Sequence, residues 1–168
     1  LSAVCPTKDN QLLIGTGSVI HNRPDISGDG LVRLVDPRST ELTKIRTRHL
    51  DVDCIVACPQ SRLFAVGDAQ DHRWSAFDLA FPAQPYCQGQ CAAVGTVCDD
   101  TISLSFSHHG RHLYSGGHDG HVYKTDVSTG GLEWRLLMAS LVTNLLAVDD
   151  KMECVVGTEG GAIQLIGY

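Results

Sequence analysis

The sequence is short of almost everything that a helical, membrane-spanning or nucleic-acid-binding chain needs. Helical periodicity nowhere runs beyond a turn or two, and 17 glycines and 6 prolines interrupt it. No apolar run approaches the roughly 20 residues of a membrane span, and no secretory leader is visible. Basic residues are outnumbered, 13 Lys and Arg against 19 Asp and Glu, for a net charge of −6. Affinity for a phosphate backbone rests on clustered cations, so nucleic-acid binding is not expected. A strained nucleophile turn of the GxSxG type is missing, and so is a matched pair of CxxC units for zinc. The first residue is Leu1 rather than Met, so the natural start is expected upstream.

What remains is an ordinary globular balance, 43% apolar and 19% charged, in 168 residues, enough for one domain with a core. Seven cysteines (Cys5, Cys54, Cys58, Cys87, Cys91, Cys98 and Cys154) make an odd count, several of them in apolar, strand-like surroundings. A reduced, intracellular protein of the nucleus or cytoplasm is the simpler reading. The grouping of Cys87, Cys91 and Cys98 has CxxxC spacing and reads as loop or strand cysteines rather than a metal site.

The clearest stretch is Ile102 to Gly130. Ile102, Leu104 and Phe106 alternate with Ser103, Ser105 and Ser107, the period of a half-buried strand. His108-His109-Gly110 is a turn, Leu113 to Gly116 a second strand, and Asp119-Gly120 a hairpin signal, because glycine tolerates positive φ. Val122 to Asp126 and Leu132 to Leu137 complete four short antiparallel strands.

The same order recurs along the chain, with units at roughly 1–48, 49–98, 99–140 and 141–168. Gly15-Thr16-Gly17 aligns with Ser115-Gly116-Gly117, and Ser27-Gly28-Asp29-Gly30 with Gly117-His118-Asp119-Gly120. In the second unit Asp71 takes the hairpin position and His72 replaces the glycine. Asp36, Asp78 and Asp126 end the third strand of their units at spacings of 42 and 48 residues. Phe81 to Val97 reads as an outer strand with a long loop. The fourth unit has three strands: Val142 to Val148, Met152 to Gly157 and Ala162 to Ile166.

Phe106-Ser107, Gly110, Leu113-Tyr114-Ser115-Gly116-Gly117, Asp119-Gly120, Val122 and Asp126 together resemble a WD-repeat unit, and the resemblance extends over the whole chain at declining quality. It implies an all-β fold, a WD-repeat β-propeller with about four blades, as part of a larger ring, since a blade must stack on its neighbours to bury its faces. Val35, Phe77 and Thr125 stand where the family has Trp. The resemblance also implies a structural hydrogen-bond network, here placed on His49, Asp71, Ser115 and Asp119. Residues just before the hairpin Asp are the family's usual partner contacts: Gly28, Gln70 and His118, with His121 on the same turn.

Asp36-Pro37-Arg38 resembles the W-D-x-R box of substrate receptors of cullin–RING ubiquitin ligases, without its Trp. Asp36 and Arg38 are therefore candidate partner contacts. The basic residues Arg33, Arg38, Lys44, Arg46 and Arg48 read as a solvated edge, or as a contact for an acidic partner. His108, His109, His112, His118 and His121 fall at opposite strand ends, so no metal site is expected of them, and no cofactor or small-molecule substrate is inferred. No catalytic residue is assigned. The expected function is a non-catalytic scaffold for other proteins in a complex, without a membrane; ligase receptor and propeller-based enzyme are the alternatives.

Overall fold

A computed structural model describes residues 3–16, 29–39, 41–68, 72–90, 102–148 and 153–167. These residues are all-β: fifteen strands form four antiparallel sheets, and none of the sheets closes on itself. No helix among them is long and apolar enough to cross a membrane.

The first sheet takes β1 (Ala3–Pro6), β2 (Leu12–Gly15), β3 (Leu31–Val35) and β4 (Leu42–Arg46) in chain order. The second takes β5 (Cys54–Ala57), β6 (Leu63–Asp68), β7 (Arg73–Asp78) and β8 (Cys87–Gln90). The third holds β9 (Ile102–Phe106), β10 (His112–Gly117), β11 (His121–Asp126) and β12 (Leu132–Leu137). The fourth has β13 (Val142–Ala147), β14 (Cys154–Thr158) and β15 (Ile163–Ile166). Within the second unit the outer strand comes late, at Cys87, after turns that absorb the proline-containing stretch.

Alternation along each strand sends side chains to two faces, and the core is accordingly layered. Leu13, Val32, Ile45, Val52, Ile55, Phe64, Val66 and Phe77 fill the space between the first and second sheets. Ala65, Trp74, Ala76, Leu104, Phe106 and Leu113 fill the next. Tyr114, Val122, Val142, Leu145, Cys154 and Val156 lie between the third and fourth. The inner strands of the two middle sheets are thus largely buried on both faces, while β12 stays exposed.

Neighbouring sheets meet through their first strands: β1 lies by β5, β5 by β9 and β9 by β13. The outward N–H groups of such edges need acceptors. Small polar side chains of the preceding first strand supply them. Ala57 N–H points at Cys5 Sγ (3.2 Å), and Leu104 N–H at the Cys54 sulfur. Leu145 and Ala147 donate to the Ser103 and Ser105 hydroxyls, both at 2.9 Å. The serines of β9 therefore face a neighbouring strand, where period-two alternation alone would assign them to solvent.

The ladders shift one alignment read from the sequence. Gly15, Gly67, Gly116 and Gly157 sit opposite Val32, Trp74, Val122 and Ile163. Gly15 is thus the counterpart of Gly116, one place on from Ser115. Sheet packing explains the shift. A Cβ at Gly15 would fall 2.4 Å from Val52 Cγ1, at Gly67 2.4 Å from Ile102 Cδ1, and at Gly116 2.8 Å from Val142 Cγ1. Each glycine seats the apolar residue that enters or opens the following sheet.

Candidate functional site

The hairpins between second and third strands, and the loops entering each sheet, gather at one end of the strands. In the third unit Gly120 adopts φ 70 and closes the turn by donating to the Gly117 carbonyl at 3.2 Å. The Asp119 side chain is only 3% exposed. Its Oδ1 accepts the His121 N–H at 2.9 Å, and Oδ2 accepts the Tyr123 hydroxyl. His121 Nδ1 lies 3.5 Å from the same carboxylate and 3.0 Å from the Asp119 carbonyl. His118 is half-buried beside this turn.

The first hairpin repeats the device. Asp29 Oδ1 accepts the Leu31 N–H (3.1 Å) and the Thr16 hydroxyl (2.7 Å), and its other oxygen pairs with Arg33. The Arg33 hydrogen bond is the main reason that the Asp29 pKa falls from 3.8 to about 2. In the second unit His72 adopts φ 55, so an imidazole-bearing residue holds the left-handed position that Gly30, Gly120 and Gly161 hold elsewhere. Gly28, Gln70 and Asp71 lie outside the described residues.

His49 enters the second sheet and hydrogen-bonds through Nε2 to Ser75 Oγ of β7 at 2.8 Å. Ser75 also accepts from Gln88 Nε2 at 3.1 Å and is fully buried. The loop is held again by buried Asp68, whose Oδ2 accepts the N–H groups of Leu50 (2.9 Å) and Asp51 (3.1 Å). Ser115 stays apart from these contacts: it is fully buried and its hydroxyl has no partner among the described residues. The assignments to Ser75 and Asp68 escape sequence reading because they join residues 26 and 18 positions apart. The one local signal is a polar residue beside apolar ones: Asp68 ends the apolar run of β6, and Ser75 sits between Trp74 and Ala76 in β7.

At the far end of the strands, an aspartate at the end of the third strand caps the next turn in each of the first three sheets. Asp36 accepts the Arg38 N–H (2.9 Å), Asp78 the Ala80 N–H (2.8 Å) and Asp126 the Ser128 N–H (2.9 Å). Each has an arginine: Arg38 on Asp36 as a two-pronged pair at 2.9 and 2.8 Å, Arg62 near Asp78 at 3.9 Å, Arg111 on Asp126 at 3.4 Å. The Arg38 side chain holds the Asp36 carboxyl well below the usual carboxylate range. Hydrogen bonding from Ser128 brings Asp126 down from 3.8 to about 2.

The histidines separate. His108 and His109 pack edge to face and both contact Gln60, while His112 Nε2 lies 3.1 Å from Glu133 Oε1. His112, Asp126 and Glu133 offer ligand atoms within 4.8 Å of one another. Their carboxylates are already matched by cations, Arg111 on Asp126 and Lys124 on Glu133 (3.2 Å), so the group is an ion-pair cluster. Lys124 also reaches Glu153 at 3.0 Å across to the fourth sheet, and Glu153 accepts the Trp134 indole N–H at 3.1 Å. Burial works against the Lys124 ammonium, but the hydrogen bonds to Glu153 and Glu133 outweigh it and raise its pKa.

Five cysteines are free thiols within the described residues. Burial pushes Cys54 up to about 11 and Cys154 to about 12, and it also raises Cys5 and Cys87. Thiols raised in this way stay protonated at neutral pH and are poor nucleophiles. Cys91 and Cys98 lie outside the described residues. No protein-family model matches the chain, and no curated protein matches it.

Proposed function

We propose that the chain forms successive blades of a WD-repeat β-propeller, part of a larger ring, and acts as a non-catalytic scaffold for other proteins. The observation that carries this reading is the mode of stacking. Four sheets follow one another in chain order, first strand beside first strand, with an apolar layer in each gap. A stack of this kind is rigid and places its hairpins at one end, which suits a platform for variable loops. In the third unit the buried Asp119 carboxylate fixes the turn and holds His121 in place, with His118 half-buried beside it.

The geometry gives less support to the alternatives. His49 and Ser75 have the spacing of a base and a nucleophile, but Ser75 is fully buried and shared with Gln88, which suits a structural bond. In the ligase-receptor reading Arg38 would reach a partner, whereas its guanidinium is closed on Asp36.

The test is affinity capture of the full-length protein beside a His118→Ala, His121→Ala double variant, after circular dichroism shows that the variant folds. Stoichiometric partners are expected, with some lost from the variant. An unchanged set removes the third hairpin as the contact. A parent that captures no stoichiometric partner removes the scaffold reading.

A further inference from the structure

We propose that a cleft between the loop leaving β4 and strands β7 and β8 of the second sheet binds the phosphate group of a phosphomonoester. The cleft measures about 440 Å³. Thr47, Arg48 and His49 line it from the loop leaving β4, Arg73 and Ser75 from β7, and Gln88 from β8.

Two guanidiniums of one cleft mark it out. Arg33, Arg38, Arg62 and Arg111 each have an aspartate within 4.0 Å. Among the described residues the side chains of Arg46, Arg48, Arg73 and Arg135 have no ion pair, and of these four Arg48 and Arg73 line the same cleft. Asp68 stands opposite Arg73 in the β6–β7 ladder, but its carboxylate is buried and accepts the Leu50 and Asp51 N–H groups. The protein as a whole is acidic, so two cations in one concavity, without an ion pair among the described residues, are a local feature and not an overflow of basic residues.

The walls are fixed before any ligand arrives. Thr47 donates both its N–H (3.0 Å) and its hydroxyl (2.8 Å) to the Gly30 carbonyl. His49 and Gln88 both hold the Ser75 hydroxyl. Arg48, between these anchors, has φ 68. Arginine enters that region only at an energetic cost, and such strain concentrates at binding sites. A pre-formed site loses less entropy on binding.

Charge and shape select the ligand class. A phosphomonoester carries roughly −1.5 to −2 with three acceptor oxygens, and two guanidinium forks match both numbers. A carboxylate would occupy one fork and leave the second cation unmatched. The group can sit on a small metabolite or on a phosphorylated side chain, and the chemistry at the cleft is the same. This inference stands apart from the propeller reading, because it needs only one loop and two strands of the second sheet.

The test is titration calorimetry with inorganic phosphate, O-phosphoserine, a phosphoserine peptide and the same peptide unphosphorylated. Saturable binding of inorganic phosphate is expected. Arg73→Gln and Arg48→Asn, the latter chosen because Asn tolerates positive φ, should each weaken it about tenfold or more, as loss of a charge-assisted hydrogen bond does. Arg62→Gln, outside the cleft, should bind like the parent. A phosphopeptide at least about tenfold tighter than O-phosphoserine identifies a modified protein as the source; equal affinities identify a small molecule. Absence of saturable phosphate binding in the parent overturns the proposal, and so does unchanged affinity in both cleft variants.

Discussion

Gly15→Ala and Gly157→Ala should change stability in opposite directions. The two glycines hold the same place in the first and fourth sheets, opposite Val32 and Ile163. Neither has the positive φ that would make alanine strained. Relative to glycine, alanine in such a strand lowers the entropy of the unfolded chain and stabilises by about 0.4–1 kcal/mol. At Gly157 the new methyl would make ordinary contacts, the nearest being Asn144 Cβ at 3.6 Å, so that gain should appear in full. At Gly15 the methyl would lie 2.4 Å from Val52 Cγ1, 2.9 Å from Ile55 Cδ1 and 3.0 Å from Val52 Cβ. Val52 is fully buried and stiff at χ1, so relief requires the first two sheets to part. Overpacking of this kind costs about 1–3 kcal/mol, which outweighs the entropic gain and leaves a net loss of about 1–2 kcal/mol. For a chain of this size each kcal/mol moves Tm by about 2–4 °C. Calorimetry should show Gly157→Ala melting higher than the parent and Gly15→Ala lower. Combining Gly15→Ala with Val52→Ala should cost less than the sum of the two, because the added methyl enters the space that the valine vacates. If Gly15→Ala raised Tm as much as Gly157→Ala, the close approach of the sheets at Gly15 would be refuted.

Asp119→Ala removes the acceptor for the His121 N–H and the Tyr123 hydroxyl, and should cost about 1–3 kcal/mol; Asp119→Asn, which keeps an acceptor oxygen, should cost less, and an unchanged Tm for Asp119→Ala would refute the cap. Lys124→Met leaves Glu133 and Glu153 without their shared ammonium, whose side chain is 8% exposed, and should cost about 3 kcal/mol; adding Glu153→Gln should recover part of the loss in a denaturant titration, and no recovery would refute the pairing. Asp29 and Asp126 fall from 3.8 to about 2 on folding. A depressed carboxylate contributes stability above its unfolded pKa and loses it as pH falls through the folded one. Tm should therefore hold near neutral pH and decline between about pH 4 and about pH 2, with a shallower decline in an Asp29→Asn, Asp126→Asn variant.

Strand positions were legible where local chemistry decides them. The Ile102, Leu104, Phe106 alternation and the Asp119-Gly120 turn depend on period and φ alone, and both became the elements expected of them. The one-place slip at Gly15 arose because Gly15-Thr16-Gly17 and Ser115-Gly116-Gly117 can be matched in more than one way by residue type. What separates them is contact with Val52 and Val142, which belong to the units that follow. Ser103 and Ser105 read as a solvent face for the same reason, since their acceptors serve N–H groups 42 residues away. Lys124 was legible in principle: it occupies an inward position two after Val122, where an unpaired ammonium is too costly to bury. That argument demands carboxylates without saying that Glu133 and Glu153 supply them. At the candidate site, Arg48 looked like one more member of a basic edge. Its distinction comes from Arg73, which the fold brings to the same cleft from β7.

The same three-part device governs every gap in the stack: a glycine at the end of the second strand, an apolar residue from the next unit seated on it, and apolar residues of the third strand beneath. Val32, Trp74 and Val122 are fully buried in that role. Their counterpart Ile163 is 78% exposed, and Leu165, two places on, is 61% exposed. Gly157 retains the glycine, yet no side chain of a following sheet is seated on it among the described residues. Side-chain chemistry alone therefore does not distinguish the fourth sheet from the first three; only the presence of a neighbour does. The third gap differs in another respect, because Lys124 stands where the first two sheets have Leu34 and Ala76. An ion pair at such a place contributes little net stability compared with apolar packing, but an unmatched lysine is costly. Glu133 meets it from its own sheet and Glu153 from the fourth, so a sheet that arrived in that gap without a carboxylate at this register would leave the ammonium to Glu133 alone.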